Sequence, residues 1–512
     1  MDAQTQSTYT QDVEFTSGFG AMQTPTHMFT VAAVNDVAAP AIDKPFRYLD
    51  MACGNGLTLA MLADSYPHAE FVGIDLNPDH IDRANRRATE GGLTNINYHV
   101  GDLAALSGAD YGAFDYVAAA GVYSWLDAPR RLALRRFFSD ALKPGGLAFL
   151  LYSSQPGMTQ IAALYRFLRE IGEVFSGSSA EKLKSAALYA EELRKGKVGF
   201  FHSNPLAIAR LRTIISSEAE SEAHEVFNLQ ENGFWSIDVL RDMRAEDLSF
   251  VGSASLHHNL PKLVSRPDTT VGGKVLPLEL RQMQFDIAWN TGVRRDIFIK
   301  GEAAAYQRTL RDSLVDQYVF CNAGALSDAH RARLKKPFQN FDFCASDAAQ
   351  FAEAAGSATR FGELYDRLEN SGMSVAKAVS LTKHFLAARI ISVGTGAPGA
   401  GDHDGDVVMS SQLNQMMLHE QIGMQGGRPF SSTTVGTRVV LPLKDRIYLW
   451  ALTRGDLSEA WDRLGPLQSL FKDQNKPITK HQFTNAITDS LPSFRQHAVP
   501  ELLRMRVVKP TT

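Results

Sequence analysis

The sequence predicts an α/β chain whose first domain is an open sheet wound with crossover helices, and three observations carry that prediction. Tyr48-Leu49-Asp50-Met51 is a short apolar strand that runs into Ala52-Cys53-Gly54-Asn55-Gly56, and Leu57 to Ala63 then opens a helix. Gly54 and Gly56 permit a sharp turn there that no Cβ could enter. Phe71-Val72-Gly73-Ile74 is a second apolar run, closed by Asp75. An acid at that place can accept hydrogen bonds from both hydroxyls of a ribose, as in open α/β sheets that hold nucleosides beyond the carboxyl ends of their strands. Asn95 to Val100, ending in Gly101-Asp102-Leu103, and Phe114 to Ala120 supply a third and a fourth strand.

The Gly-rich turn alone does not choose the nucleoside, because dinucleotide sites use a related G-x-G-x-x-G turn with an acid at a similar distance. Leu59 stands where the third glycine of that fingerprint would be. Asp50 precedes the turn, where a carboxylate can hold the amino group, or the turn amides, of a cofactor without pyrophosphate. Asp102 suits an adenine amino group. This order resembles the class I S-adenosylmethionine-dependent methyltransferases over roughly residues 45 to 155, including Lys143-Pro144-Gly145-Gly146 before the apolar Leu147 to Leu151. The resemblance implies a Rossmann-like domain and S-adenosyl-L-methionine as cofactor. The implied binding residues are Asp50, Ala52, Gly54, Gly56, Asp75, Leu76, Gly101, Asp102, Leu103 and Gly121. Ala52 departs from the pattern by replacing the family's usual first glycine, so the turn has to tolerate a methyl group.

The remaining composition narrows the class. A chain of 512 residues with 44% hydrophobic content can bury several cores, and length alone suggests about three domains. A net charge of -4 and a pI near 6.4 give no general attraction for phosphate backbones, so nucleic acid is not the default partner. Cys53, Cys321 and Cys344 have no paired zinc spacing, and Cys53 reads as a small packing residue of the turn. No apolar run approaches about 18 residues and the N-terminus is polar, which points to a cytoplasmic protein without membrane insertion. His403-Asp404-Gly405-Asp406 reads as a solvated loop, and His257-His258, as neighbours on a strand, would face opposite ways; no metal site is expected.

Along the chain, residues 1–44 read as an N-terminal lid segment punctuated by Tyr9, Phe15, Phe19, Pro25, His27 and Phe29, with a helix from Met28 to Val37. Such aromatics serve equally well to staple the segment to the core. Residues 45–175 form the cofactor domain, whose elements are expected to close within roughly the first 155 residues. A middle α+β domain over 176–300 follows, containing the apolar segment around Val226, Phe234 and Trp235, a Pro/Gly-rich loop from Pro261 to Pro277, and a strand at Arg294 to Ile299. Residues 301–512 form a mainly helical unit for recognition or dimerisation, compatible with a homodimer.

Ala118 to Trp125, Tyr152-Ser153-Ser154-Gln155-Pro156-Gly157, Leu248 to Ser253 and Arg294 to Phe298 are similar to bacterial methyltransferases with a methyltransferase regulatory domain, among them the rickettsial protein-lysine methyltransferases. The resemblance implies N-methylation of lysine side chains in a protein substrate. A small-molecule N- or O-methyltransferase and a non-catalytic cofactor-sensing adaptor stand beside it. Tyr123 and Trp125, just beyond strand four, are the candidate catalytic residues, as aromatic walls for an amine. They serve equally well as core packing between the strand and the next helix. The absence of a D/N-P-P-Y sequence after strand four weakens DNA or glutamine amino groups as acceptors, leaving protein or small molecules.

Overall fold

The structure, a computed structural model, describes residue 12 and residues 18–217, 219–228, 233–260, 270–321, 345–357, 359–401, 403, 405–473 and 476–511. Tyr9, Phe15, Cys344, Asp404 and residues 261–269 of the expected loop lie outside the described residues.

The apolar runs at 48–51, 71–74, 114–119 and 147–150 become buried parallel strands, because both faces of such a sheet are covered by helices, and Ile96 to Val100 becomes an edge strand in which only Tyr98 is buried. The strands are β1 (Arg47–Met51), β2 (Glu70–Asp75), β3 (Ile96–Val100), β4 (Phe114–Ala119) and β5 (Leu142–Ser153). Between them run helices α2 (Leu57–Ser65), α3 (Pro78–Glu90) and α4 (Ala128–Ala141). Two further strands, β6 (Leu248–Ser253) and β9 (Val293–Lys300), enter the same seven-stranded sheet in the order β3-β2-β1-β4-β5-β9-β6. β9 is antiparallel to both β5 and β6. Between β6 and β9 in the chain, β7 (Thr270–Val271) and β8 (Lys274–Val275) form a separate hairpin. The sheet therefore does not close within 155 residues, and it runs across the boundary expected at 175. The strand at 293–300 was legible from its β-branched and aromatic residues, but its partner was not. Pairing with β5 is long-range, and the intervening helices hide it.

Those helices are α5 (Met158–Gly172), α6 (Ser179–Lys195), α7 (Gly199–Ser203), α8 (Pro205–Ser216) and α9 (Ala219–Asn228). They pack a core of their own around Leu164, Leu168, Leu183, Phe201, Leu211 and Val226. Helix α6 starts at a capping box, with the Ser178 side chain accepting from the Glu181 N–H and the Glu181 carboxylate accepting from the Ser178 N–H. Helices α10 (Ser236–Ala245) and α11 (Leu278–Trp289) flank β6 and β9. His257 and His258 sit in a 3₁₀ turn rather than a strand, and their rings meet edge to face 4.2 Å apart.

Helix α1 (Pro25–Val34) begins three residues before the predicted start, because Thr24 caps it and Pro25 occupies its first position. Every residue of α1 except His27 is buried. It is a core helix, and ahead of it Gly18 to Gln23 is fastened to the start of α2 through Thr58.

The C-terminal unit is mainly helical and grips the far end of α2. Ser411 Oγ donates to Asp64 Oδ2 at 2.7 Å, Ser431 Oγ donates to the same oxygen, and the Ser432 N–H donates to Ser65 Oγ at 3.2 Å. Ser431 ends β13 (Arg428–Ser431), which pairs with β14 (Arg438–Leu441). In the loop between these strands, the Gly436 carbonyl accepts from Tyr66 OH at 2.5 Å and from Thr26 Oγ1 at 3.3 Å, tying α1, α2 and the hairpin together at one buried node.

Gly436 has φ +63°, and a Cβ there would lie 2.4 Å from Thr395 Cγ2 and 2.6 Å from both Thr26 Oγ1 and Tyr66 OH. Gly436→Ala is expected to destabilise the chain by at least about 2 kcal/mol, combining the left-handed cost of a Cβ with the clash. Denaturant unfolding of purified protein reads this; an unchanged midpoint would remove the node from the account.

Candidate functional site

The strand order reverses between β1 and β4, both of which neighbour each other while their crossovers lead to opposite sides; the crevice at their carboxyl ends is where open α/β sheets take ligands. The Ala52 to Gly56 turn lies at this crevice. Ala52, Gly54 and Gly56 all adopt positive φ, at 62°, 56° and 72°. Ala52 is thus strained by about 1–2 kcal/mol where the family pattern has glycine. A Cβ on Gly56 would come within 2.6 Å of Tyr98 OH and 2.7 Å of the Ala84 Cβ, so this position needs glycine for space as well as for φ.

Asp75 organises the turn. Its Oδ2 accepts from the Gly54 N–H at 2.8 Å, its Oδ1 accepts from the Asn77 N–H at 2.9 Å, and His80 Nδ1 lies 3.2 Å from Oδ1. The carboxylate is 7% exposed, with most of its acceptor capacity engaged by the protein. Leu76 beside it is 42% exposed. Tyr98 OH donates to the Gly56 carbonyl and Arg87 donates to the Asn55 carbonyl, fixing the turn from β3 and α3.

Asp50 is 3% exposed. Burial pushes its carboxyl up to about 7; the Gln23 hydrogen bond opposes that shift and the neighbouring Asp75 charge adds to it. Gln23 Nε2 donates to Oδ2 at 2.9 Å, and no other hydrogen bond reaches this carboxylate among the described residues. A buried carboxylate with an unused oxygen beside a Gly-rich turn is suited to a cationic group such as an ammonium.

The rest of the predicted set is more dispersed. Asp102 Oδ1 accepts from the Ala104 N–H at 3.0 Å as a helix cap and pairs with Arg130 at 3.8 Å, on a partly exposed rim. Leu103 is buried beside it, and the Gly101 N–H donates to the Asp75 carbonyl at 3.0 Å. Gly121 has φ +86° with open space where a Cβ would stand.

Tyr123 and Trp125 lie on a 3₁₀ turn after β4. Tyr123 is buried: its ring meets Phe234 edge on at 5.4 Å and lies 6.1 Å from Tyr152, and its hydroxyl accepts from Arg135 at 3.1 Å. Burial raises its phenol above the usual range. Behind it, Tyr152 OH donates to Asp296 at 2.7 Å, and the buried Arg294 bridges Asp296 and Asp286 at 2.9 Å each.

Sequence reasoning did not find Gln23, His80, Arg87, Tyr98 or the Arg294 cluster. For His80 a signal existed: Asn77 caps α3, which places a residue one turn on so that it faces back to Asp75. For Gln23 there was none, since its contact spans 27 residues of irregular and helical chain.

A family model described as a methyltransferase domain matches residues 49–146, and one described as a predicted methyltransferase regulatory domain matches residues 221–300. An uncharacterised protein of Synechocystis is 28% identical over 298 residues, covering 58% of this chain and 59% of its own length. An uncharacterised protein of Rickettsia prowazekii is 31% identical over 144 residues, 28% of this chain and 26% of its own. The chain thus spans well under two thirds of the length of these two relatives. PKMT2 from Rickettsia typhi has a similar fold over 94% of this chain and 99% of its own, with a TM-score of 0.69 and 15% identity. The same protein in complex with AdoHcy aligns over 96% and 99%, with a TM-score of 0.66 and 16% identity. At that identity the likeness is one of fold. The sheet of this chain is that of a class I methyltransferase domain, joined to a regulatory-type unit that supplies β6 and β9.

An acid whose folded pKa is raised costs stability while ionised and returns it as pH falls through the folded pKa. Asp50→Asn is therefore expected to raise the melting temperature at pH 8, by an increment that shrinks as the pH is lowered through about 7. Melting curves of both proteins from pH 5.5 to 8.5 check this; a variant less stable at pH 8 would contradict the buried-charge assignment.

Proposed function

We propose that this protein is an S-adenosylmethionine-dependent methyltransferase, and that its acceptor is an amine on a protein side chain, a lysine. The observation that carries the cofactor assignment is the pairing of two buried carboxylates at the switch point. Asp50 has an oxygen free to take an ammonium, and Asp75 closes the Gly-rich turn at the carboxyl end of β2. The donor set fits the cofactor in chemistry. Asp50 would hold its amino group, Asp75 its ribose hydroxyls, Leu76 and Leu103 its adenine faces, and Asp102 the adenine amino group. Gly121, with positive φ and open space where a Cβ would stand, leaves room for its approach. When bound, the cofactor supplies a methyl group on a sulfonium to an incoming nucleophile.

The chain's own task is alignment and water exclusion, which can supply roughly 7 to 11 kcal/mol when donor and acceptor are held in a near-attack pose. No covalent nucleophile is required. Gly121 and Trp125 stand at the end of β4, on the acceptor side. Tyr123, with its hydroxyl on Arg135 and its ring against Phe234, shapes that wall from within. A lysine amine has to lose its proton before attack, and desolvation among aromatic rings lowers its pKa in the required direction. The protein acceptor draws support from the sequence resemblance to rickettsial protein-lysine methyltransferases and from the fold likeness to PKMT2 over nearly the whole chain. No helix among the described residues is long and apolar enough to cross a membrane.

Incubating the full-length protein with cell extract and methyl-labelled cofactor is expected to label protein bands, with label recovered as methyl-lysine. Label confined to small metabolites would replace the acceptor assignment, and no label at all would favour a cofactor-sensing adaptor. Asp75→Ala is expected to abolish cofactor binding in calorimetry, because the ribose acceptor and the turn's own anchor are lost together. Trp125→Ala is expected to lower transfer by at least about tenfold while leaving cofactor affinity within a factor of about two, a loss of more than about 1.4 kcal/mol on the acceptor side alone. Full transfer activity in Trp125→Ala would move the acceptor channel elsewhere.

A further inference from the structure

We propose that Gln23 is a cofactor-positioning residue, and that Arg438 of the C-terminal unit holds it in place. This rests on the reading of the Asp50 turn as an S-adenosylmethionine site. It adds a residue that no local motif contains and assigns the far end of the chain a part in ligand binding.

The segment from Gly18 to Gln23 is a strap fastened across the start of α2. The Gly20 N–H donates to Thr58 Oγ1 at 2.9 Å, and the Thr58 hydroxyl donates to the Gly18 carbonyl at 3.3 Å. Tyr48 OH, from β1, donates to the Gln23 carbonyl at 3.0 Å. These bonds turn the Gln23 side chain inward, where it is 3% exposed. Gly20 is required for this: a Cβ there would lie 2.8 Å from the Gln23 Cδ and Oε1. The amide that results is aimed at Asp50 Oδ2 and leaves Oδ1 for a ligand.

The outer side of the strap is clamped by Arg438. Its guanidinium lies over the Phe19 ring, 5.6 Å from the centroid, and Nη1 reaches the Phe19 carbonyl at 3.5 Å. Arg438 forms no ion pair among the described residues, so this contact does not compete with a salt bridge. Its own position is set by the hairpin that Asp64, Ser65 and Tyr66 fasten to α2. Strap and hairpin thus refer to the same helix.

A hydrogen bond donated to the ionised carboxylate favours that form. Gln23 therefore counteracts the burial that drives Asp50 toward the neutral acid, and fixes the plane in which its free oxygen is offered. The other titratable groups facing Asp50 are Tyr48 on β1, Cys53 in the turn, Asp75 on β2 and Tyr98 on β3. None of these side chains carries a positive charge in either protonation state, so among these groups none replaces Gln23. An ammonium binds the ionised acid; binding is present above the Asp50 pKa and lost as pH falls through it. Removing Gln23 moves that acid limb to higher pH.

The test is calorimetric titration of the full-length protein with S-adenosylhomocysteine between pH 6 and 9. Gln23→Ala is expected to bind about tenfold more weakly near neutral pH, the loss of one charge-assisted hydrogen bond, and to show an acid limb shifted upward. The isosteric Gln23→Glu, which keeps the packing, is expected to shift the limb the same way by placing a second acid against Asp50. Arg438→Ala is expected to shift it in the same direction by a smaller amount, and Arg438→Lys to fall between. Wild-type affinity and an unmoved limb in both Gln23 variants would overturn the positioning role while leaving the cofactor site standing. A moved limb in the Gln23 variants with an unmoved one in Arg438→Ala would overturn the clamp. Failure of the wild-type protein to bind at any pH would instead overturn the cofactor reading itself, and the inference with it.

Discussion

Helix α2 is held at both ends, and the rest of the structure depends on that constraint. Its first residues emerge from a turn that Asp75 closes through the Gly54 N–H. At its far end Asp64, Ser65 and the capping Tyr66 are held by Ser411 and by Ser431, Ser432 and the Gly436 carbonyl of a hairpin that lies hundreds of residues further along the chain. Burial raises the Asp64 carboxyl, with the two serine hydroxyls opposing the shift. A short helix fixed this way cannot tilt without disturbing either the ligand turn or the C-terminal unit. The C-terminal unit therefore belongs structurally to the first domain, in addition to any part it takes in recognising an acceptor.

The N-terminal segment follows the same logic. Its helix fills the core beneath the sheet, while Gly18 to Gln23 ahead of it is fastened to the start of α2 and to Asp50. The apolar residues of α1 face every direction, and a helix apolar all round is a buried helix. The sequence pattern of Met28 to Val34 contained that information. The strap ahead of the helix combines three small residues with Phe19, Met22 and the Gln23 amide.

The turn of the candidate site was legible because it is local. A strand, two glycines with positive φ and an acid at the end of the next strand are set by backbone sterics and turn chemistry over a few residues, and Asp50, Gly54, Gly56 and Asp75 meet as those patterns require. Asp102 proved to be a helix cap on the rim as well as an adenine candidate. Tyr123 and Trp125 were read as walls or as packing, and the geometry of Tyr123 is that of packing with a tethered hydroxyl. What was illegible is long-range. The last two strands of the sheet join it only after a helical insertion, and no periodicity in the sequence announces which strand they pair with. Gln23 reaches Asp50, and Arg438 reaches Phe19 of the strap, through chain geometry alone.

The central claim is that the ligand turn, the strap and the C-terminal hairpin behave as one unit, and hydrogen–deuterium exchange of the full-length protein with and without S-adenosylhomocysteine tests it most directly. The account predicts that the ligand slows exchange in peptides covering residues 50–56 and 75–80, and slows it also in peptides covering 18–23 and 431–438. Protection confined to the turn, with the strap and the hairpin exchanging at their unliganded rates, would contradict it.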